Sequence, residues 1–415
     1  MQFIDFTIKY WHQHTFLIQT ILAFSIALSF CFKIIPTIVH ISYEKNLLDI
    51  PNDRKLNKKP LPNLGGVAIF IATTLSPLIF VSTLQGNQFI SITSSCLIVF
   101  FIGMKDDLIV IDPRKKLIGQ LIAVSIVVFL GGIRFSNFNG FLNIFEINEY
   151  ISLPLTFLFM ILIINSFNLI DGIDGLASGV TILISFTYGI WFYLTNQLLF
   201  TFISFSLAGS LVSFFYYNVF SKNNKIFMGD SGSLLNGFLI GVLTIVLINS
   251  NADIINYKID AIIPVILGIL IVPIVDTLRV FVIRILNGKS PFSPDKNHIH
   301  HKLIELNFSH LQATLIIVGV NFIFIIQSFV LQKIGTYLLF SLILGLAVFF
   351  IYCLFLANKR HELRITKQNE AAILNASPAN SLRELKKRTK KFSSSRVSTS
   401  PVVNSGKLRK RTSRL

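Results

Sequence analysis

Long apolar segments alternate with short polar ones along most of the chain. The apolar segments are roughly 18 to 25 residues long, the length a helix needs to cross the hydrocarbon of a bilayer. A soluble protein can bury one such helix but not a long series of them. The pattern predicts about eleven transmembrane helices, with soft boundaries, at residues 16–40, 65–82, 89–104, 117–133, 151–169, 179–195, 199–217, 234–250, 261–286, 311–331 and 336–356.

Composition supports the same class. Of the 415 residues, 53% are hydrophobic and 14% are charged, whereas a soluble domain has about 25% charged residues. Mean hydropathy is +0.68. The first apolar run is too long for a removed signal peptide and lacks a small-residue cleavage site. We therefore expect an all-α fold, a polytopic membrane helical bundle spanning residues 1–356.

Basic residues predict the orientation. The loops at 41–64, 105–116, 218–233 and 284–310 hold fifteen Lys and Arg, and the loops of the opposite side hold four. Cytoplasmic loops carry the excess of Lys and Arg. The N-terminus is therefore predicted outside and the C-terminus in the cytoplasm.

The C-terminal segment 357–415 differs from the rest of the chain. It carries sixteen Lys or Arg against three Glu and is rich in Ser, a composition typical of disorder. Such a tail can bind anionic lipid headgroups, at up to about 1 kcal/mol per basic residue near the surface. The alternative, a solvated tail that only follows the positive-inside rule, stays open. No nucleic-acid-binding fold accompanies the charge.

Acidic and histidine residues concentrate in the loops of the basic side. They lie in "GMKDDLIVIDPRKK", "NLIDGIDGLASG", "KIFMGDSGS" and "SPFSPDKNHIHHK", and the candidates for chemistry among them are Asp106, Asp107, Asp171, Asp174, Asp230, His298, His300 and His301. Alone, each motif has a plain structural interpretation: a solvated acidic pair, a helix cap, a surface histidine tract. Together on one face they predict one composite site.

Several carboxylates close together at a membrane boundary have a high electrostatic free energy unless a cation neutralises their charge. Oxygen ligands with few Cys favour a hard ion, Mg²⁺ or Mn²⁺, which is commonly shared with substrate phosphates. The glycines of "DGIDG" and "MGDSG" allow backbone N–H groups to approach an anionic ligand.

These motifs resemble those of the polyprenyl-phosphate N-acetylhexosamine-1-phosphate transferases. The resemblance covers roughly residues 45–310 and runs in order through "RKLNKKPLPNLGG", the Asp pair, "NSFNLIDGIDGLASG", "FMGDSGSLLNGF", "PIVDTLRVFVIR" and "PFSPDKNHIHHKL". It implies transfer of sugar-1-phosphate from a UDP-amino sugar to a polyprenyl phosphate, with release of UMP. It further implies a bacterial cytoplasmic membrane enzyme with its site on the cytoplasmic face; a homodimer is compatible with it.

Residue roles come from the same resemblance. Asp230 is the expected Mg²⁺ ligand, with Asn168 and Asp171 beside it in the nucleotide and metal pocket, and Asp174 lines that pocket. Asp106 and Asp107 match the pair that handles the lipid phosphate. The expected substrate contacts are Lys116 for phosphate, Phe227 for uracil, and His298, His300 and His301 for the donor diphosphate and sugar. A solvated lysine is the alternative for Lys116.

The histidine motif looks more like the branch that uses UDP-N-acetylglucosamine, and undecaprenyl phosphate is the expected acceptor. The main alternative is the phospho-N-acetylmuramoyl-pentapeptide transferase of peptidoglycan synthesis. An ion-coupled transporter is a rival from another class, but the acids lie in loops on one face, and no inverted repeat is evident. An intramembrane metalloprotease lacks its H-E-x-x-H helix.

Overall fold

A computed structural model of the chain describes residues 2–49, 60–80, 86–289 and 297–376. Within them the fold is helical apart from one two-stranded antiparallel ribbon, β1 (Leu48–Asp49) with β2 (Leu61–Pro62). The helices are α1 (Gln2–Glu44), α2 (Gly65–Leu78), α3 (Asn87–Leu108), α4 (Pro113–Phe129), α5 (Glu149–Ile170), α6 (Leu176–Leu194), α7 (Leu198–Val219), α8 (Gly229–Ser250), α9 (Ile262–Ile269), α10 (Ile271–Leu286), α11 (Ile299–Glu305), α12 (His310–Val330) and α13 (Thr336–Ala376).

The predicted class, a polytopic helical membrane protein, is confirmed, but the predicted number of spans is too high. In the described part of the chain eight helices are long and apolar enough to cross a bilayer, and a ninth span forms if α9 and α10, bent by 76°, count as one. The other two predicted spans are helices α2 and α4, of 14 and 17 residues. A full crossing needs about 20 residues, so both are short.

Helix α8 is the centre of the bundle. Every residue from Ser231 to Ile248 is buried, and helices α2, α3, α5, α6, α7 and α9 pack around it. Because α8 is apolar on all sides, it belongs in the interior rather than against lipid or water. Its first turn carries Asp230, so the central helix also places the predicted metal ligand.

Local capping sets several helix ends near the loops of interest. Asp112 caps α4 by accepting from the Arg114 N–H at 2.8 Å, with Pro113 as the first helical residue. Ser309 and Gln312 form a reciprocal capping box at the start of α12. These side chains satisfy N–H groups that a helix start leaves without intrahelical partners.

The chain forms two units, residues 1–355 and 356–415. Helix α13 continues to Ala376, whereas the sequence predicted a disordered tail from residue 357. The segment 357–376 is rich in Ala, Leu, Lys, Arg and Glu, which have high helix propensity. The Ser-rich remainder of the predicted tail lies outside the described residues.

Candidate active site

Four segments from different parts of the chain meet at one end of the bundle. They are the C-terminal end of α3, the first turn of α4, the C-terminal end of α5 and the first turn of α8, which bring together Asp106, Asp107, Lys116, Asn168 and Asp230. The sequence predicted that these loops share a membrane face, and here their side chains are in direct contact.

Lys116 bridges two of the acids. Its Nζ lies 3.1 Å from Asp106 Oδ2, contacts Asp230 Oδ2, and is 3.5 Å from Asn168 Oδ1. Burial works to lower the pKa of Lys116, but the charge of Asp230, supported by Asp106, outweighs burial and raises the pKa above its usual value. Lys116 is therefore a fixed cation within the cluster rather than a solvated surface lysine.

Asp230 is held on its other oxygen by Asn168. The Asn168 amide donates to Asp230 Oδ1 at 2.7 Å and to Ser233 Oγ at 2.9 Å. Asn168 stands in the last turn of α5 and Asp230 in the first turn of α8. This contact between neighbouring helices fixes the orientation of both side chains before any substrate binds.

Asp107 differs from its neighbour because its carboxylate caps α8. Oδ1 accepts from the Asp230 N–H at 2.7 Å, and Oδ2 accepts from the Ser231 N–H at 3.0 Å and from its hydroxyl at 2.7 Å. Gly229 makes this approach possible: its φ is +72°, and a Cβ there would lie 2.6 and 2.7 Å from the Asp107 oxygens. The carboxylate of Asp107 therefore holds the backbone segment that carries Asp230 and does not face Lys116.

Asp171 has no side-chain hydrogen bond or ion pair within the part of the chain that the structure describes. Burial, followed by the charges of Asp230, Asp107 and Asp174, raises the pKa of Asp171 to about 8. A cation or a hydrogen-bond donor beside this carboxyl would stabilise its ionised form and lower the pKa again.

Asp174 has partners outside the Lys116 cluster. Its Oδ2 contacts Lys225 Nζ at 2.6 Å and His310 Nδ1 at 3.3 Å, and its backbone oxygen accepts from the Thr314 hydroxyl at 2.8 Å. Burial works to raise the pKa of Asp174, but the hydrogen bonds from His310 and Lys225 outweigh it and lower the pKa below its usual value. Asp174 thereby joins the α5–α6 turn to α12 and to the loop before α8.

The histidines lie against the α5–α6 turn. His298 and His300 are buried, their rings are stacked at 5.6 Å, and the His301 ring lies 4.3 Å from that of His300. The His300 ring sits over Gly172, where a Cβ would collide with Nε2. Burial, followed by the charge of His301, lowers the pKa of His300 to about 3, so His300 is neutral at physiological pH.

Phe227 is half-buried in the segment that leads into α8. Its N–H donates to Pro62 O at 2.8 Å, and its oxygen accepts from the Gly65 N–H at 2.9 Å. The backbone pairing fixes the place of the ring beside the start of α2, with part of it accessible.

The side-chain oxygens of the cluster are of the type that binds a hard divalent cation. In the described residues, however, they do not form a complete set of metal ligands. Within the described ranges, no three His, Cys, Asp or Glu side chains are grouped so that they could hold a metal ion. The available atoms are carboxylate and amide oxygens, the ligands Mg²⁺ prefers, and Mg²⁺ commonly completes its shell with water and substrate phosphate. The carboxyl of Asp171, which is without a partner in the described ranges, is the strongest feature in favour of such an ion.

Four ionisable residues of this region had no predicted role: Lys225, Asp276, Arg279 and His310. Asp276 and Arg279 lie within an apolar run, where ionisable residues are expensive and call for partners, so the sequence did contain a signal for them. Lys225 and His310 are recognisable only by their contact with Asp174, and a loop lysine or a helix-start histidine has no such signal.

Comparison with known proteins agrees with the motifs. The model of glycosyl transferase family 4 matches residues 89–248. A probable undecaprenyl-phosphate N-acetylglucosaminyl 1-phosphate transferase of Bacillus subtilis (strain 168) is 33% identical over 338 residues, 80% of this chain and 90% of that protein. A decaprenyl-phosphate N-acetylglucosaminephosphotransferase of Mycolicibacterium smegmatis is 32% identical over 291 residues, 64% and 71% of the two chains. An undecaprenyl-phosphate alpha-N-acetylglucosaminyl 1-phosphate transferase of Escherichia coli (strain K12) is 29% identical over 322 residues, 74% and 82% of the two chains. The predicted resemblance is therefore confirmed, and the chain belongs to glycosyl transferase family 4, among the polyprenyl-phosphate N-acetylglucosamine-1-phosphate transferases.

Proposed function

We propose that the protein transfers N-acetylglucosamine-1-phosphate from UDP-N-acetylglucosamine to undecaprenyl phosphate. UMP is the second product, and the lipid-linked sugar is the first intermediate of a cell-surface polysaccharide. The observation that carries this proposal is the Lys116 bridge between Asp106 and Asp230, together with the nearby Asp171 carboxyl, which has no side-chain partner among the described residues. In a helical membrane protein of this family, the cluster combines fixed positive charge with carboxylates at the end of the bundle.

The reaction requires two anionic substrates to meet. An oxygen of the lipid phosphate attacks the β-phosphorus of the UDP-sugar, the phosphorus that carries the sugar. A new P–O bond forms there, and the bond from that phosphorus to the bridging oxygen breaks. The bridging oxygen leaves with its electron pair as part of UMP. Phosphoryl transfer of this kind asks mainly for positioning and charge stabilisation.

The residues of the cluster can supply both. Lys116 offers a positive charge that Asp106 and Asp230 hold in place. When substrate binds, phosphate oxygens would replace part of these carboxylate contacts. Asp106 stands at the same ammonium and is the candidate to accept a proton from the lipid phosphate or to orient it. Asp107 acts through the backbone of α8.

A divalent cation, Mg²⁺ or Mn²⁺, would neutralise phosphate charge that the side chains alone do not balance. Asp171 and Asp230, with the Asn168 amide oxygen, would hold it. The donor nucleotide and sugar would lie towards Phe227 and the histidine segment. Because His300 is neutral, it offers one N–H at most.

The cytoplasmic face is the proposed location of the site, since nucleotide sugars are cytosolic. It rests on the loop charges, which place fifteen of nineteen basic residues on the side of these motifs. The membrane of a bacterium, the inner one where there are two, is the corresponding compartment.

The test is an assay with purified full-length protein in detergent and no ion gradient. Undecaprenyl phosphate and labelled UDP-N-acetylglucosamine, UDP-N-acetylgalactosamine or UDP-N-acetylmuramoyl-pentapeptide are supplied with MgCl₂ or EDTA. Lipid-linked label and UMP in equal amounts, from UDP-N-acetylglucosamine and only with the cation, are the expected result. Product from the muramoyl-pentapeptide alone would move the protein to the peptidoglycan branch, and absence of product with every donor would refute the proposal.

A further inference from the structure

A single carboxylate on α10 holds the start of the short helix α11. Asp276 is 2% exposed, and its Oδ2 lies 2.9 Å from His298 Nδ1. Its Oδ1 accepts from the Ile299 N–H at 2.9 Å and from Arg279 Nη2 at 3.2 Å. Three donors from two segments therefore converge on one buried group.

Arg279 extends the same anchor by one residue. Besides pairing with Asp276, its Nη2 donates to the backbone oxygen of Asn297. The residues Asn297, His298 and Ile299 are thus each tied to α10, two by backbone atoms and one by its ring. A buried charge is tolerated only with such partners, so the arrangement fixes one position of the α11 start and disfavours others.

The position of α11 matters because its first turn carries His300. The His300 ring rests on Gly172, next to Asp171, with no room for a Cβ between them. It is also stacked against the ring of His298. A small shift of α11 would move His300 relative to the α5–α6 turn, and a misplacement of about 1 Å can cost about a hundredfold in rate.

We propose that Asp276 and His298 are positioning residues, which set the place of His300 and His301 for the donor. In this assignment the His298 ring is a spacer with its Nδ1–H on Asp276, and it makes no contact with the UDP-sugar itself. The kinetic part of the proposal rests on the proposed function, whereas the structural part does not.

The first experiment compares Asp276→Asn with Thr277→Val in the full-length protein. Asn keeps the size of the side chain but replaces the oxygen that faces the His298 ring with a donor. Thr277 is adjacent and equally buried, and its hydroxyl has no hydrogen-bond partner among the described residues. We expect Asp276→Asn to raise the KM for the UDP-sugar about ten- to hundredfold, with the KM for polyprenyl phosphate within about twofold of wild type, whereas Thr277→Val changes neither.

Hydrogen–deuterium exchange of peptides covering residues 297–305 gives a readout that needs no activity. Asp276→Asn should speed exchange there about tenfold or more, with no change in peptides of α3 or α5. Unchanged exchange in Asp276→Asn would refute the positioning role. If instead the wild type forms no product from UDP-N-acetylglucosamine, the proposed function fails while the exchange result still decides the role of Asp276.

The second experiment separates the two nitrogens of His298. The Asn amide can take the place of Nδ1, and the Gln amide can take the place of Nε2. If Nδ1 holds His298 on Asp276, then His298→Asn, which can keep that hydrogen bond and loses only the stacking on His300, should raise the donor KM clearly less than His298→Gln, which should raise it about tenfold or more. The reverse order, with Gln active and Asn impaired, would show that Nε2 contacts the donor and would overturn the assignment.

Discussion

Asp106 and Asp107 are neighbours in the chain but have different partners. Asp106 faces Lys116 and accepts from the Ile111 N–H at 2.9 Å, whereas Asp107 accepts three hydrogen bonds from the start of α8. Consecutive residues of a helix point about 100° apart, so an adjacent pair rarely shares one task. The sequence identified the pair but could not divide the roles, because the partner of Asp107 lies more than a hundred residues away in the chain.

Asp230→Asn should abolish most of the transfer activity without unfolding the protein. Asn keeps the shape and can still contact Asn168, but it removes the charge opposite Lys116 and a proposed ligand of the cation. Loss of one preorganised electrostatic group costs about a hundred- to thousandfold in kcat. We expect a fall of at least that size at saturating MgCl₂, measured as lipid-linked product.

Asp112→Asn is the matched control, because Asp112 is an exposed acid that caps α4 and Asn is an equally good cap. It should keep activity within about twofold and an unchanged melting temperature. Wild-type activity of Asp230→Asn at saturating cation would contradict the assignment of this residue.

At the scale of helices, the apolar pattern predicted the positions of the helices correctly. It predicted less well which helices are long enough to cross the membrane. Each of the predicted spans coincides with a described helix, but α2 is 14 residues and the 261–286 segment is broken between α9 and α10. Hydropathy averages over a window and does not register a bend. Leu270, which follows α9 and precedes α10, has φ −97° and ψ 10°. Pro273, in the first turn of α10, has no N–H to donate to the Ile269 carbonyl, and its ring would clash with that carbonyl in a continuous helix. The sequence therefore does contain a local signal for the break, which a hydropathy average does not register.

The side-chain contacts between helices also could not be predicted from the sequence. The resemblance of the motif "DGIDG" implied that Asp171 and Asp174 both line the nucleotide and metal pocket. In the structure Asp171 is unpartnered within the described residues, while Asp174 binds Lys225 and His310. Both partners are distant in sequence, and only the packing of α6, α7 and α12 brings them to the same turn.

Gly229→Ala tests the contact between α3 and α8. Gly229 has φ +72°, and a Cβ would lie within 2.7 Å of both Asp107 oxygens. The left-handed conformation alone costs an L-residue about 1–2 kcal/mol, and the collision adds to that. We expect a lowered melting temperature together with a loss of activity, because Asp230 is the next residue.

Gly319→Ala provides the comparison for that substitution. Gly319 lies within α12, and a Cβ there meets no atom within 4 Å. Alanine is favoured over glycine inside a helix by about 1 kcal/mol, so this variant should melt at the same temperature or higher. Equal melting temperatures and activities for the two variants would contradict the proposed contact.

Asp174→Asn should destabilise the protein in a pH-dependent way. The folded pKa of Asp174 lies below its ordinary value, so its contribution to stability is present above the ordinary carboxyl range and is lost as pH falls through the folded pKa. Removing a hydrogen-bonded charge costs about 1–3 kcal/mol. The melting temperature of the variant in detergent should therefore be lower than wild type at pH 7, and the difference should shrink below about pH 4.

Asn218 offers the control for that ion pair. It donates to Ile226 O and accepts from the Gly175 N–H in the same region, and its side chain does not titrate. Asn218→Ala should therefore lower the melting temperature by the same amount at pH 7 and at every pH tested below about pH 4. A constant difference for Asp174→Asn as well would exclude a role for its charge.

At the scale of the whole molecule, the bundle has a site end and an opposite end. The site end collects the contacts of Asp107 with α8 and of Asp174 with α12. At the opposite end Asn249 donates to Arg134 O at 2.7 Å, and the Trp191 indole donates to Tyr257 O at 3.1 Å. The loops rich in Lys and Arg and the loops poor in them therefore lie at opposite ends of the bundle. Which end faces the cytoplasm stays a prediction.

Cysteine labelling of intact cells decides that orientation. Lys115 is exposed at the start of α4, next to Lys116 at the site end, and Asn256 is exposed beside Tyr257 at the opposite end. Cys31 and Cys96 are buried and Cys353 is exposed, so the background for both variants is Cys353→Ser. With the basic loops inside, an impermeant maleimide should label Asn256→Cys in intact cells and label Lys115→Cys only after the membrane is opened. Labelling of Lys115→Cys in intact cells, with protection of Asn256→Cys, would place the site outside and remove the cytosolic UDP-sugar as its donor.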